Sequence, residues 1–71
     1  MLTRRERQLL LLLAKGCSYA EIAVELGISL HTVGSHVKNC YRKLGARSAA
    51  HALARALELK LLAVRELRQT S

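Results

Sequence analysis

The amino-acid sequence predicts an all-α fold, with four helices in a single domain that spans residues 1–71. The chain contains no proline and no stretch in which apolar and polar residues alternate as in a half-buried strand. Apolar residues instead recur at helical spacing between short segments that contain glycine or serine. A chain of 71 residues can form only a small core, so we expect close helix packing or pairing of two chains to contribute to stability.

The first predicted helix begins after Thr3 and ends at Gly16. The residues from Thr3 to Glu6, TRRE, have the pattern of a capping box. In such a box the hydroxyl accepts a hydrogen bond from the third backbone N–H, and the carboxylate accepts one from the N–H of the cap residue. Glycine at the other end favours termination of the helix. The leucines expected to face the core at helical spacing are Leu9, Leu10 and Leu13.

A helix-turn-helix is predicted over about residues 18–45. Ser18 begins a second capping box, SYAE, and a short helix follows from Tyr19 to Leu26. The turn is Gly27-Ile28-Ser29, and a longer helix then runs from Leu30 to Leu44. Two helices joined by a turn of three or four residues that contains glycine are typical of this motif.

The third helix has one apolar face and one polar, basic face when its residues are placed at 100° intervals. The apolar face, expected in the core, consists of Leu30, Val33, Val37, Cys40, Tyr41 and Leu44. The outward face holds His31, Ser35, Lys38, Asn39 and Arg42, with Thr32, His36 and Lys43 on one flank and Gly34 at the border. Residues 28–47 contain four Lys and Arg side chains and no acidic one. This charge and these donors favour contact with DNA phosphates and base edges.

A fourth helix is predicted to begin after Ser48. Its inner face is Ala52, Leu53, Ala56 and Leu57. No glycine or proline follows Gly45, so the sequence allows this helix to continue to about Leu67. Its second half would have no helix of its own chain to pack against, so we expect a dimerisation helix over about residues 48–68. The predicted dimer interface is Leu53, Leu57, Leu61, Val64 and Leu67.

Composition and spacing argue against several other classes of protein. The net charge of +7 favours nucleic acid or an anionic membrane surface. The longest apolar run, Leu9–Ala14, is too short to cross a membrane, and the charged N-terminus does not have the pattern of a signal peptide. Cys17 and Cys40 have no metal or redox spacing, and His31 and His36 do not share a helix face. We therefore expect no metal, no cofactor, no membrane partner and a cytoplasmic location.

The sequence from about Leu2 to Leu62 resembles the DNA-binding domain of LuxR-type transcription regulators, which many two-component response regulators also contain. The residues that carry the resemblance are Leu2-Thr3, Arg5-Glu6, Gly16, Glu21-Ile22-Ala23, Leu26, Ser29, Thr32-Val33, His36-Val37 and Lys43-Leu44-Gly45. The resemblance implies a four-helix domain that places its third helix in the major groove of double-stranded DNA. It also implies a homodimer, formed commonly through the fourth helix, that reads an inverted repeat.

The resemblance also suggests which residues contact DNA. Base contacts in such domains come from the positions of Gly34, Ser35 and Lys38. Phosphate contacts come from around Thr32, from the start of the second helix and from the region just after the third. Together with the outward face of the third helix, this gives a predicted DNA-binding set of His31, Thr32, Gly34, Ser35, Lys38, Asn39, Arg42, Lys43 and Arg47.

The chain departs from the LuxR-type pattern at four positions. Gly34 stands where Lys or Arg is usual, so one base or phosphate contact is missing. Cys40 replaces the usual Ile and leaves the core slightly under-filled. Ala49 stands where many members have Arg, although Arg47 is close enough to substitute. Lys60 stands where a glycine often ends the fourth helix, and this change supports a longer terminal helix.

Three functions agree with the residues to different degrees. A dimeric, sequence-specific transcription regulator is favoured. A protein-binding module of reduced DNA affinity, which pairs with another regulator, is the alternative that Gly34 supports. The terminal region of a sigma factor has a similar motif, but His36 and the helix after Gly45 argue against it.

An enzyme is not expected, because no carboxylate pair, nucleophile–base pair or phosphate-binding glycine loop is present. Related regulators usually carry a receiver or ligand-binding domain before this part, and residues 1–71 contain none.

Overall fold

A computed structural model of the chain describes residues 1–68, and this part contains five helices and no strand. The helices are α1 (Arg4–Ala14), α2 (Tyr19–Leu26), α3 (Leu30–Leu44), α4 (Ala49–Glu58) and α5 (Val64–Arg68). The predicted all-α fold is confirmed, and the helix-turn-helix lies at α2 and α3, where the sequence predicts it.

The helix starts follow from the cap residues named in the sequence. The Oγ1 of Thr3 accepts from the Glu6 N–H at 3.1 Å, and the Thr3 N–H donates to Glu6 Oε1 at 2.9 Å. Ser18 forms the same reciprocal pair of bonds with Glu21. Ser29 and Ser48 accept from the third N–H of α3 and α4. Each bond satisfies a backbone donor that the helix itself leaves free.

Helix α1 divides the core into two parts. Leu9 is fully buried in a cluster with α2 and the first half of α3, and its neighbour Leu10 is fully buried in a cluster with α4 and the second half of α3. The first cluster contains Leu9, Ile22, Val33 and Val37, and the second contains Leu10, Cys40, Leu44, Ala52, Ala56 and Leu62. Helix α3 contributes to both clusters, so its orientation relative to the rest of the domain is determined along most of its length.

Helix α4 does not continue to Leu67, and this expectation is wrong. The helix ends at Glu58, with Lys60 in the left-handed region at φ 60°. The Lys60 N–H donates to the Leu57 carbonyl at 3.1 Å, and the Leu61 N–H donates to the Ala56 carbonyl at 2.8 Å. This pair of bonds is a Schellman motif, which glycine usually supplies. Lysine takes the glycine conformation here, so the absence of glycine does not extend the helix.

The chain turns back after Lys60 and brings α5 against α1. Leu62, which was not expected in the core, is 4% exposed as a result. Glu66 accepts from the Ala63 N–H at 2.8 Å and also forms an ion pair with Arg7 of α1. These contacts explain how a helix of only five residues is held, since a helix so short is unstable alone.

Leu30 was also expected in the core, but it is 57% exposed. It is the first residue of α3, directly after the turn, and it belongs to neither of the two core clusters. Helical spacing predicts the direction of the Leu30 side chain. It does not predict that the other helices leave the first residue of α3 uncovered.

Candidate nucleic-acid interface

One face of α3 is buried and the other is open to solvent. Val33, Val37, Cys40 and Leu44 are each at most 2% exposed. Along the opposite face, the exposed predicted residues are His31, Ser35, Lys38, Arg42 and Lys43, and the half-buried ones are Thr32, Gly34 and Asn39. Arg47 is exposed just beyond the helix. The structure therefore brings eight of the nine predicted DNA-binding residues together on this 15-residue helix, with the ninth after its end.

Lys38 and Arg42 differ in how firmly their charged groups are held. Lys38 is exposed and forms no ion pair with any residue the structure describes. Arg42 donates from Nη2 to the Asn39 Oδ1 at 2.7 Å. This bond uses one of the five N–H donors of the guanidinium and leaves the others open. Asn39 thus orients Arg42 on the outward face, while Lys38 stays free to reach a partner.

Lys43 is already engaged within the domain. Its Nζ donates to Glu6 Oε1 at 2.9 Å, and Glu6 is 3% exposed. Burial alone would raise the pKa of Glu6, but hydrogen bonds from Thr3 and Lys43 and the lysine charge outweigh it and lower that pKa. The carboxylate is therefore charged at neutral pH, and its bond to Lys43 connects the end of α3 to the start of α1.

Three of the five acidic residues form ion pairs within the described chain, and none of these pairs neutralises Lys38, Arg42 or Arg47. Glu6 pairs with Lys43, Glu58 with Arg55, and Glu66 with Arg7. The remaining basic residues of the region, Lys38, Arg42 and Arg47, form no ion pair within residues 1–68. Three positive charges on α3 or just after it thus remain available to an anionic partner.

Thr32 lies at the first turn of α3 and belongs to its cap. Its Oγ1 is 2.7 Å from the Ser29 Oγ, and its N–H donates to the same Ser29 oxygen at 3.0 Å. The half-buried threonine hydroxyl is held beside the free N–H groups at the start of the helix, where a phosphate oxygen would be favoured.

Two arginines hold the ends of the motif helices, and the sequence does not predict this role. The Arg55 Nε donates to the Leu44 carbonyl at the end of α3 at 3.0 Å, and its Nη1 donates to Glu58 at 2.9 Å. Arg5 reaches the Leu26 carbonyl at the end of α2 at 3.5 Å. Cations stabilise helix C-termini. No spacing rule within one helix could find these residues, because each arginine contacts the carbonyl at the end of a neighbouring helix.

The predicted dimer residues do not form one continuous stripe. Leu53, Leu57 and Leu61 are half-buried and pack against the core cluster of α1, α3 and α4. Val64, on α5, is 56% exposed, and Leu67 is half-buried. Leu59, which was not in the predicted set, is 47% exposed at the end of α4. The apolar surface near this end of the molecule therefore centres on the turn between α4 and α5.

The two cysteines lie in different surroundings. Cys40 is fully buried, and burial together with the nearby charge of Glu6 raises the pKa of its thiol to about 11. Cys17 is half-buried in the connection between α1 and α2.

Within residues 1–68, no group of His, Cys, Asp and Glu side chains could hold a metal ion. No helix in that range is both long and apolar enough to pass through a membrane.

The chain matches the family described as "Bacterial regulatory proteins, luxR family" over residues 1–56. It is 43% identical over 61 residues to "Transcriptional activator protein CarR" of Pectobacterium carotovorum subsp. carotovorum, covering 86% of this chain and 25% of that protein. It is 42% identical over 62 residues to "Response regulator protein VraR" of Staphylococcus aureus, covering 87% of this chain and 30% of that protein.

The fold is similar to a solved structure, "Structure of Transcription factor, GerE". The TM-score is 0.80 at 37% sequence identity, and the match covers 87% of this chain and 92% of that one. The chain spans about a quarter of the length of the curated relatives it matches. Sequence, fold and the arrangement of the helix-turn-helix agree, and the chain belongs to the luxR family of bacterial regulatory proteins.

Proposed function

We propose that this chain is the DNA-binding domain of a sequence-specific transcription regulator, with α3 in the major groove. The observation that carries the proposal is the outward face of α3. Its opposite side is buried from Val33 to Leu44, and Lys38, Arg42 and Arg47 carry charges that no acidic residue of the described chain pairs with. A basic helix held firmly at its back can enter the major groove without reorganising.

The proposal gives different tasks to the basic residues. Lys38, free and near the middle of α3, contacts base edges. Arg42, held by Asn39, contacts bases or the backbone at the edge of the groove, and Arg47 contacts phosphate. Lys43 mainly keeps α3 seated on α1 through Glu6. In this respect the proposal differs from the sequence-based prediction, which placed Lys43 among the DNA contacts.

Dimerisation on an inverted repeat is the second part of the proposal. A recognition surface on one 15-residue helix reads few base pairs, and two copies double the number of contacts. The exposed Leu59 and Val64 are apolar groups that a second copy would cover. In a longer protein, a receiver or ligand-binding domain would control this pairing. The relatives extend well beyond the matched region, so they have room for such a domain.

A salt titration of DNA binding tests the main proposal. Binding of the chain to a random duplex and to sites selected from random DNA is measured by fluorescence anisotropy at several salt concentrations. The logarithm of the affinity should fall steeply with the logarithm of the salt concentration. Lys38→Gln should make this slope shallower by about the amount of one phosphate contact or less, and it should lower the preference for the selected site. Lys15→Gln, an exposed lysine at the end of α1, is the matched control and should keep the preference. A flat salt response would reject DNA binding.

A protein-binding module is the second candidate. Two observations favour it: Gly34 adds no side chain to the outward face, and Glu6 occupies Lys43. Such a module would pair with another regulator through the surface around Leu59 and Val64. It would dimerise or bind its partner while showing no preference among duplexes, and sedimentation of the chain with and without a selected duplex separates the two functions.

A further inference from the structure

Gly34 occupies a position on α3 where nothing inside the molecule requires glycine. Its φ is not among the positive values of the chain, which are found at Gly16, Gly27, Gly45 and Lys60. A Cβ built on Gly34 would have no atom within 4 Å, apart from its own helix backbone and its two neighbours in sequence. Alanine would fit there and favour the helix more strongly. The structure therefore gives no internal reason for glycine at this position.

The missing side chain leaves a notch in a row of exposed residues. Leu30 and Lys38 lie one turn before and one turn after Gly34 on the same strip of the helix surface. Leu30 is 57% exposed, and Lys38 is exposed as well. We call the depression between them the α3 notch. Its floor is helix backbone, and the exposed side chains before and after it along the strip are the aliphatic Leu30 and Lys38, which ends in an ammonium group.

The chemistry of the α3 notch limits what can enter it. Backbone N–H groups in the interior of a helix are used within the helix, so the floor offers no free donor. A polar base edge pressed against this floor would lose water without gaining a partner, which is unfavourable. A methyl group loses nothing there and gains contact with Leu30. In the major groove, the apolar group that projects from a base pair is the C5 methyl of thymine.

Building on the proposed DNA-binding function, we propose that the α3 notch reads a thymine by its methyl group and that Lys38 reads a guanine beside it. Lys38 lies about 6 Å from Gly34 along the helix axis, and base pairs are about 3.4 Å apart. The guanine is thus one or two base pairs from the thymine. Its O6 and N7 are the acceptors that lysine contacts in the major groove. Gly34 is a specificity-determining residue because it has no side chain.

The test replaces thymine with deoxyuracil, which lacks only the methyl group. Sites are first selected from random duplex DNA with the wild-type chain, and each thymine is then replaced singly. One thymine in each half-site, within two base pairs of a guanine, should be sensitive. Its replacement should weaken binding roughly fourfold, as expected for one methyl group that leaves an apolar contact. If no such thymine exists, or if replacement has no effect, the proposal is wrong.

Gly34→Ala tests whether the notch is the cause. The variant should unfold at the same or higher denaturant concentration than the wild type, bind the selected site more weakly, and no longer distinguish thymine from deoxyuracil. Val24→Ala is the control, because Val24 is 84% exposed on α2 and alanine there also favours the helix. It should keep the sensitivity to the methyl group. Retained sensitivity in Gly34→Ala, or lost sensitivity in Val24→Ala, would overturn the assignment.

The outcome also separates this inference from the proposed function. A wild-type chain that binds selected sites with a steep salt dependence, yet ignores the thymine methyl, would remain a DNA-binding domain whose α3 notch is unused. A wild-type chain that binds no duplex even at low salt would overturn both proposals.

Discussion

Lys43 on α3 donates a hydrogen bond to Glu6 on α1, and the same Oε1 accepts the N–H of the cap residue Thr3. One buried carboxylate thus caps the first helix and holds the end of the recognition helix. The arrangement joins two parts of the chain that are 37 residues apart in sequence. It gives a residue of the predicted DNA surface a structural task, and it makes the position of α3 depend on the charge of Glu6.

Replacing Glu6 with glutamine should lower the free energy of unfolding by about 1–3 kcal/mol, the usual loss for a buried hydrogen bond to a charged group. The amide keeps the shape of the side chain but loses the charge that Lys43 pairs with. Lys43 can reach water, as its side chain is 36% exposed, so the loss should stay below that of a fully buried pair. Urea unfolding at neutral pH measures it. Glu21→Gln, in the exposed cap of α2, is the control and should cost less.

The stability of the wild type should decrease in acid more than that of Glu6→Gln. The pKa of Glu6 is lowered in the folded chain from the usual glutamate value of 4.5, so the folded state favours the charged form. This contribution is fully present above that value and is lost as the pH falls through the lower folded pKa. Urea midpoints at pH 7, 5 and 3 should therefore converge for the two proteins. Parallel curves over this range would show that Glu6 does not supply the difference.

Lys38→Ala and Lys43→Ala should affect different properties. Lys38→Ala should weaken binding to the selected site by about 1–3 kcal/mol and reduce sequence preference, with little effect on unfolding. Lys43→Ala should mainly lower the stability of the domain, because it leaves Glu6 buried without its ammonium partner. Anisotropy with specific and random duplexes, alongside urea unfolding of the same proteins, measures both. Loss of stability in Lys38→Ala together with normal stability in Lys43→Ala would contradict the assigned roles.

Lys60→Gly should stabilise the chain, by up to about 1 kcal/mol. Lysine at φ 60° carries the steric strain of the left-handed conformation, which glycine avoids, although glycine gains more freedom in the unfolded chain. Lys15→Gly is the matched control. Lys15 also follows a helix, but its φ is −83°, so glycine there should give no stabilisation. Thermal unfolding of the wild type and the two variants measures their stability. An equal loss of stability in both variants would mean that Lys60 is not strained.

The sequence predicts the features of this domain that depend on neighbouring residues, and it misses those that depend on packing between helices. Capping boxes at Thr3 and Ser18 could be predicted, since they depend on residues three apart. The end of α4 could not, because the left-handed conformation of Lys60 becomes favourable only when Leu62 enters the core behind it. The outward face of α3 followed from helical spacing. The bond from Lys43 to Glu6 could not be predicted from helical spacing, because the two residues are 37 positions apart in sequence.

Cys40 should remain unmodified by iodoacetamide at pH 8 for as long as the domain is folded. The thiolate is the reactive form, and a pKa of about 11 leaves very little of it at that pH. The side chain is also fully buried in the cluster beneath α4, so reagent reaches it only after unfolding. The measurement uses Cys17→Ser, which leaves Cys40 as the single thiol, and follows alkylation by mass spectrometry. Its rate should rise with urea in parallel with the unfolding curve. Rapid modification in the absence of denaturant would show that the second half of α3 opens locally, and α3 would then not be a rigid element for reading DNA.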